Sequence, residues 1–309
     1  MDERVAAVSV GLPVYNGARY LAEAVDSLLA QTFGDFELII SDNGSTDETE
    51  RIGRSYAARD PRVRYVRSEV NQGLLWNFRN VLELARAPRF KWMAHDDICA
   101  PEFLRRCMEE LDADQGLVLC APSTVDIDEH GNPVRAYEWT LRTDSPEVTD
   151  RFHDILRDRH AHPFFGVMRT DVVRQVDLSK PCLAVDKVLL AELALRGRLR
   201  VLDDPLLLHR EHPNRSMRVH GHRAAPRLAT FDPARANRVP LPLLWQALES
   251  YRALRRAPLP AGTQWRCAVM IPVWVASRPI RLAAEFVYAG MDTADLVRRT
   301  LGGRQLGRA

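Results

Sequence analysis

Two adjacent carboxylates, Asp96 and Asp97, follow the apolar run Phe90 to Ala94 (FKWMA). At a strand end, two anions are costly to bury without compensation, and a hard divalent cation relieves their repulsion. Mg²⁺ or Mn²⁺ binds through one or two carboxylates, retains several waters and accepts phosphate oxygens, so the pair suits a metal on a diphosphate group. The plainer alternative is a solvated cap ahead of the helix that Pro101 starts. A second polar cluster, Asp42-Asn43-Gly44-Ser45-Thr46-Asp47, follows FELIIS (Phe36 to Ser41). Alone it reads first as a turn with a helix cap, but a carboxylate there can also accept hydrogen bonds from a base or sugar. Tyr15, in Pro13-Val14-Tyr15-Asn16-Gly17, offers a ring that can stack on a planar heterocycle.

The elements around these residues alternate. Val8 to Val14, Phe36 to Ser41, Val63 to Arg67 and Phe90 to Ala94 read as short buried strands. Between them, Arg19 to Gln31 and Leu74 to Ala87 carry helical periods, with Leu21, Ala24, Val25, Leu28 and Leu29 on one face. This alternation predicts a mostly parallel sheet wrapped by helices, in which ligands sit at the carboxyl ends of the strands. The polar clusters fall at those ends. Further on, Leu117 to Ala121 and Phe164 to Arg169 read as strands, Asp126 to Pro133 as a turn, and Asp186 to Arg196 as an amphipathic helix with Gly197 as a left-handed cap. Ala224 to Pro242 reads as a linker, followed by helices at Leu243 to Arg256 and about Trp265 to Ala289.

Composition narrows the class. The 309 residues are 46% hydrophobic and 27% charged, which excludes disorder and a disulfide scaffold. The five cysteines form no C-x-x-C pair, so neither disulfides nor structural zinc are expected. No Gly-rich phosphate loop or dinucleotide fingerprint is present, so phosphates must be held by metal and side chains. The start of the chain has no apolar core of signal-peptide length, and a cytoplasmic location is expected. The net charge of +2 hides an asymmetry: from Arg196 onward stand 20 Arg, no Lys and 8 acidic residues, a net +12, against −10 for the first 195 residues.

Seven segments in one order carry a resemblance. They are VSVGLPVYNG (Val8 to Gly17), ARYLAEAVDSLLAQTFGDFELIISDNGSTDET (Ala18 to Thr49), NQGLLWNFRN (Asn71 to Asn80), FKWMAHDDICAPEFL (Phe90 to Leu104), FFGVMRTDVV (Phe164 to Val173), VDKVLLAELALRGRL (Val185 to Leu199) and HREHPNRS (His209 to Ser216). Over about 215 residues the chain resembles the inverting family 2 glycosyltransferases of GT-A fold. The resemblance implies an α/β fold, Rossmann-like, with a mostly parallel sheet flanked by helices in residues 1–223; residues 224–309, which carry none of its motifs, read as an Arg-rich, mainly helical C-terminal extension. It implies a nucleotide-diphosphate sugar donor, a glycan or lipid-linked acceptor, a divalent metal, and a place in polysaccharide, glycolipid or cell-envelope glycan synthesis.

Carried over by position, the resemblance implies that Pro13, Tyr15, Asn16, Asp42 and Asn43 cradle the nucleotide. Asn71 and Gly73 match the next contacting loop, and Arg79 with Asn80 match its helix. Asp96 and Asp97 look like the D-x-D motif, with Asp97 at the metal position and His95 where many members have Asp, Ser or Thr. His212 resembles a position that reaches the metal or diphosphate, and Arg210 and Arg215 stand beside it to neutralise phosphate charge. Asp186, which alone reads as a helix cap, matches the catalytic base. A sugar-phosphate nucleotidyltransferase is disfavoured because Val14-Tyr15-Asn16-Gly17 lacks the basic residues of its loop, and a non-catalytic sugar-nucleotide-binding scaffold because the carboxylates are intact. In the tail, Trp265, Trp274, Phe286 and Tyr288 interleave with Arg266, Arg278 and Arg281, a pattern of helices lying on anionic lipid. Contact with the inner face of the plasma membrane is therefore expected, with packing on the catalytic part or a homodimer contact as alternatives. No nucleic acid partner is expected.

Overall fold

The computed structural model describes residues 5–179, 183–213 and 223–305. Strand β1 (Val8–Val14) is buried along its whole length, as parallel strands covered on both faces must be. It pairs in parallel with β2 (Phe36–Asp42) on one side and β4 (Arg89–Trp92) on the other, and β3 (Val63–Arg67) lies beyond β2. Helices α1 (Leu21–Leu29), α2 (Thr49–Arg59) and α3 (Leu74–Leu84) make the connections. The remaining strands are β5 (Ile98–Cys99), β6 (Leu117–Ile127), β7 (Pro133–Ala136), β8 (Val167–Arg169) and β9 (Arg198–Arg210), with α4 (Phe103–Ala113), α5 (Val148–Arg157), the short α6 (Thr170–Val173) and α7 (Val185–Arg196) between them. The sheet order is β3-β2-β1-β4-β8-β6-β9-β5, with β7 beside β6. Chain order reverses at β1 and β4, so their carboxyl ends border the crevice where open α/β sheets bind ligands.

Several sequence expectations are corrected. Asp126 and Ile127 belong to β6 rather than to a turn; the turn is made by Asp128, whose side chain accepts from the backbone N–H groups of His130 and Asn132. Helix α7 is buried at every position from Val188 to Leu195, not along one stripe. Its second side is covered by α9 (Pro242–Arg256), while α5 covers the first. Gly197 is extended, with φ −172°. Its role is room: a Cβ there would lie 2.3 Å from Cγ1 of Val118.

The stretch read as a linker contains α8 (Ala224–Phe231) and a 3-10 turn at Pro233–Arg235. Its prolines do not break these elements, since Pro226 and Pro233 both lie in first turns, where a missing N–H costs little. Leu228 is fully buried against Leu183 and Ala224. The last helical stretch is two elements, α10 (Ala261–Ala276) and α11 (Pro279–Gln305), because Pro279 disfavours helical backbone in the residue before it. Leu243 and Leu254 of α9, and Cys267, Ile271 and Trp274 of α10, join Phe152, Leu189 and Leu193 in one hydrophobic cluster. Residues on both sides of Arg223 thus share a core.

Candidate active site

At the end of β1, Asn16 takes a left-handed conformation with φ 49°, one that asparagine tolerates better than most side chains. Its backbone N–H donates to Ser45 Oγ at 2.9 Å and its Oδ1 accepts from the Thr46 N–H at 2.8 Å. The β1 loop is thereby locked to the β2 loop. Pro13 is buried within β1, whereas Tyr15 is 43% exposed, its ring available at the rim. Asp42 is fully buried: one oxygen accepts from the Ser45 N–H at 2.8 Å and the other from the Tyr65 hydroxyl at 2.5 Å, with Arg67 at 3.4 Å. In this structure Asp42 therefore organises the loop from within.

Asn43 reaches across to the third loop, donating to Asn71 Oδ1 at 2.9 Å and to the Gly73 carbonyl at 3.0 Å, and accepting from the Gln72 N–H. Gly73 has φ 93°, where side-chain-bearing residues are strained, and a Cβ there would lie 2.6 Å from the Phe231 carbonyl oxygen. The α8 end thus abuts this loop. Arg79 is 42% exposed and pairs with Glu83 at 3.4 Å, away from the loop contacts. Asn80 donates to Ser41 Oγ at 2.9 Å.

Sequence reasoning missed Asn77. It is buried, and its Nδ2 donates to the carbonyls of Val14 and Ser41 at 3.2 and 2.9 Å, tying β1 to β2 where they open into the crevice. The available signal was a polar side chain among the apolar positions of α3.

The two carboxylates after β4 have different surroundings. Asp97, expected to hold the cation, is 1% exposed; His209 Nδ1 lies 3.1 Å from each of its oxygens and the Arg210 N–H donates to it at 3.0 Å. It clamps the end of β9. Asp96 lies instead beside His212, with Oδ2 and Nε2 2.9 Å apart. His212 packs on Tyr20 with ring centroids 5.1 Å apart, and its Nδ1 is buried without a hydrogen-bond partner. Arg210, expected to meet phosphate, is 1% exposed and turned inward: it donates to the Asp96 carbonyl at 2.9 Å and to Glu23 at 2.7 Å, over the Tyr20 ring. Arg215 lies outside the described residues. The role of His209 was also missed, because only the fold brings residue 209 to residue 97.

Asp186 is the second residue of α7, and Ala184 occupies the N-cap position. Burial raises the Asp186 carboxyl above its ordinary pKa, and the positive charge of Lys187 opposes that shift. Lys187 Nζ donates to the carbonyls of Asp158 and Arg159 at 3.2 and 3.0 Å. Burial also lowers the pKa of Arg227 on α8, an effect that the nearby Asp186 charge opposes; its Nε is buried without a hydrogen-bond partner. The result is a half-buried carboxylate with cations from two elements near it. Asp126, His162 and His209, the last in contact with Asp97, bring ligand atoms within 4.8 Å of one another.

The model of "Glycosyl transferase family 2" matches residues 9–177. Chondroitin synthase of Escherichia coli is 34% identical over 140 residues, 45% of this chain and 20% of that protein. The uncharacterized glycosyltransferase RP339 of Rickettsia prowazekii is 35% identical over 126 residues, 40% of this chain and 38% of that protein. The chain thus spans well under half the length of these relatives. Among solved structures, S. aureus TarS 1-349 in complex with UDP aligns with a TM-score of 0.61 at 16% identity, over 97% of this chain and 92% of that one. The mannosyltransferase PcManGT from Pyrobaculum calidifontis, in complex with GDP-Man and Mn²⁺, aligns with a TM-score of 0.52 at 17% identity, over 94% and 88%. The shared architecture is the GT-A fold; in this chain further helices follow the sheet.

Proposed function

From the premise that the chain belongs to glycosyl transferase family 2 and is a glycosyltransferase, we propose that it is an inverting enzyme. It moves a sugar from a nucleotide-diphosphate donor to an acceptor hydroxyl in the synthesis of a polysaccharide, glycolipid or cell-envelope glycan. The observation that carries this reading is the place of Asp186, a half-buried carboxylate in the first turn of α7 with the Lys187 and Arg227 cations near it. A base of raised pKa accepts the acceptor proton as the oxygen attacks the anomeric carbon, and attack from the face opposite the leaving diphosphate inverts that carbon. Tyr15 stacks on the nucleotide base, and the interlocked loops of Asn16, Asp42, Asn43, Asn71 and Gly73 hold its pocket.

Asp96 and His212 would hold the divalent cation: a carboxylate oxygen and the imidazole Nε2 that faces it suit Mn²⁺ or Mg²⁺, with phosphate oxygens completing the sphere. When bound, that ion stabilises charge building on the leaving diphosphate. Asp97 holds His209 and Arg210 in place behind it. Proton NMR of the first product from a panel of α-linked nucleotide sugars is expected to show a β linkage. An α-linked product would overturn the inverting assignment.

The acceptor reading extends to the C-terminal helices. Among the described residues no single helix is long and apolar enough to cross a membrane, and α10 is bent by 68° against the part of α11 up to Leu296. Yet Trp265, Val273, Ile280 and Val287 are 63–85% exposed, a large apolar investment for a surface facing only water. Arg278 stands at the bend, where burial and then the charges of Arg281, Arg157 and Arg159 lower its pKa. An apolar ridge with arginines beside it fits peripheral contact with anionic lipid, which would present a lipid-linked acceptor. Sedimentation with phosphatidylserine vesicles is expected to show binding that weakens in high salt and is largely lost in Trp265→Glu; no vesicle binding, with a dimer in ultracentrifugation, would assign the ridge to self-association.

A further inference from the structure

Three segments converge beside the proposed donor site. Asp126 lies near the end of β6, His162 opens a 3-10 turn before β8, and His209 lies near the end of β9, where the parallel register sets Asp126 opposite His209. Each offers one ligand atom, and these atoms all lie within 4.8 Å of one another. Tetrahedral ligands at zinc–nitrogen distances of about 2.0–2.1 Å stand roughly 3.4 Å apart, so side-chain rotation alone can close the set.

The groups behind these ligands match what a metal site requires. His209 Nδ1 is held at 3.1 Å by both oxygens of the buried Asp97, which orients its ring. Asp126 Oδ2 accepts from the Tyr137 hydroxyl at 2.5 Å, while Oδ1 is buried with no hydrogen-bond partner. A carboxylate behind a ligating imidazole and a donor behind a ligating carboxylate are the outer contacts that fix ligand orientation. An unpartnered buried carboxylate oxygen is unfavourable by itself, and a cation satisfies it. His160 stacks on His162 with ring centroids 5.3 Å apart, and Tyr137 meets His162 edge-on at 4.4 Å, walling the cluster on its outer side.

We propose that Asp126, His162 and His209 form a second cation site, sharing no ligand with Asp96 and His212, that takes a zinc-class ion. Two imidazoles and one carboxylate favour late first-row metals over Mg²⁺, and three protein ligands leave a coordination position for water. Through His209 the ion would brace Asp97, and with it the loop that carries Asp96. The site is therefore a positioning device for the donor side of the crevice.

The test uses the full chain without a histidine tag, isolated without chelator and analysed for metal by mass spectrometry. The metal-free chain is then titrated with Co²⁺ and followed by visible absorption. About one equivalent of zinc is expected, with Co²⁺ bands of four- or five-coordinate intensity. His162→Asn and Asp126→Asn should weaken Co²⁺ binding by roughly 100-fold, and Tyr137→Phe, the mildest change, by roughly tenfold. Asp96→Ala should leave the bands intact. Absent bands, bands that persist in both His162→Asn and Asp126→Asn, or bands lost only in Asp96→Ala would overturn the proposal. Mn²⁺-dependent nucleotide binding, measured on the same preparations, reports separately on the donor-site reading.

Discussion

Asp186→Asn should retain donor affinity within about twofold and lose turnover by about 10²–10⁴-fold, the usual contribution of a positioned base. Asparagine keeps the shape of the carboxyl group but cannot take a proton, so the loss isolates chemistry from binding. Calorimetry with the nucleotide sugar and single-turnover transfer measure the two parts; near-normal transfer would remove Asp186 from the role of base. The pH profile supplies a second readout. Burial raises the Asp186 pKa from its ordinary 3.8, so kcat/KM should fall on acidification at a higher pH than an ordinary aspartate would give. Linkage has the opposite sign for stability: the folded state holds this proton more tightly than the unfolded chain. The stability contributed by the protonated carboxyl is therefore lost as pH rises from 3.8 through the raised value. At neutral pH, Asp186→Asn should be at least as stable as the parent while nearly inactive.

The second large effect separates two neighbours. Asp96→Ala should weaken Mn²⁺-dependent donor binding by about 100-fold or more, by removing a carboxylate from the cation, with little change in melting temperature. Asp97→Asn should act first on the fold. Asp97 is buried against His209 and the Arg210 N–H, and weakening a buried charged acceptor costs about 1–3 kcal/mol. Thermal unfolding together with nucleotide titration distinguishes the two. A stable Asp97→Asn that no longer binds donor, beside an Asp96→Ala that does, would return the cation to Asp97.

The sequence was most informative where chemistry is local. β1 and β3 were legible to the residue because hydrophobic runs, turns and strand ends coincide there. The carboxylate pair is visible as a pair, but the different surroundings of Asp96 and Asp97 are not. They depend on His209 and His212, which the fold brings in from more than a hundred residues away. Arg210 shows the same limit: beside a candidate phosphate site an arginine reads as a phosphate ligand, and only the fold shows it turned inward onto Glu23 and Tyr20. Helix α7 carries a single polar residue, Glu192, between Val188 and Leu195, an all-round apolar pattern that speaks for burial on more than one side; that α9 is the element covering it is shown only by the fold.

That covering bears on how the enzyme can be divided. Glu192, fully buried on α7, accepts from Arg196 at 2.8 Å and from Arg256 of α9 at 2.6 Å. A chain cut after Arg223 would bare Glu192 together with the apolar surface that Leu243, Leu254 and Ile271 now cover. Such an uncovered face is an aggregation surface. The minimal expressible unit therefore extends well past residue 177, where the family match ends. A transplant of this activity into another protein must carry the arginine-rich helices along with the sheet.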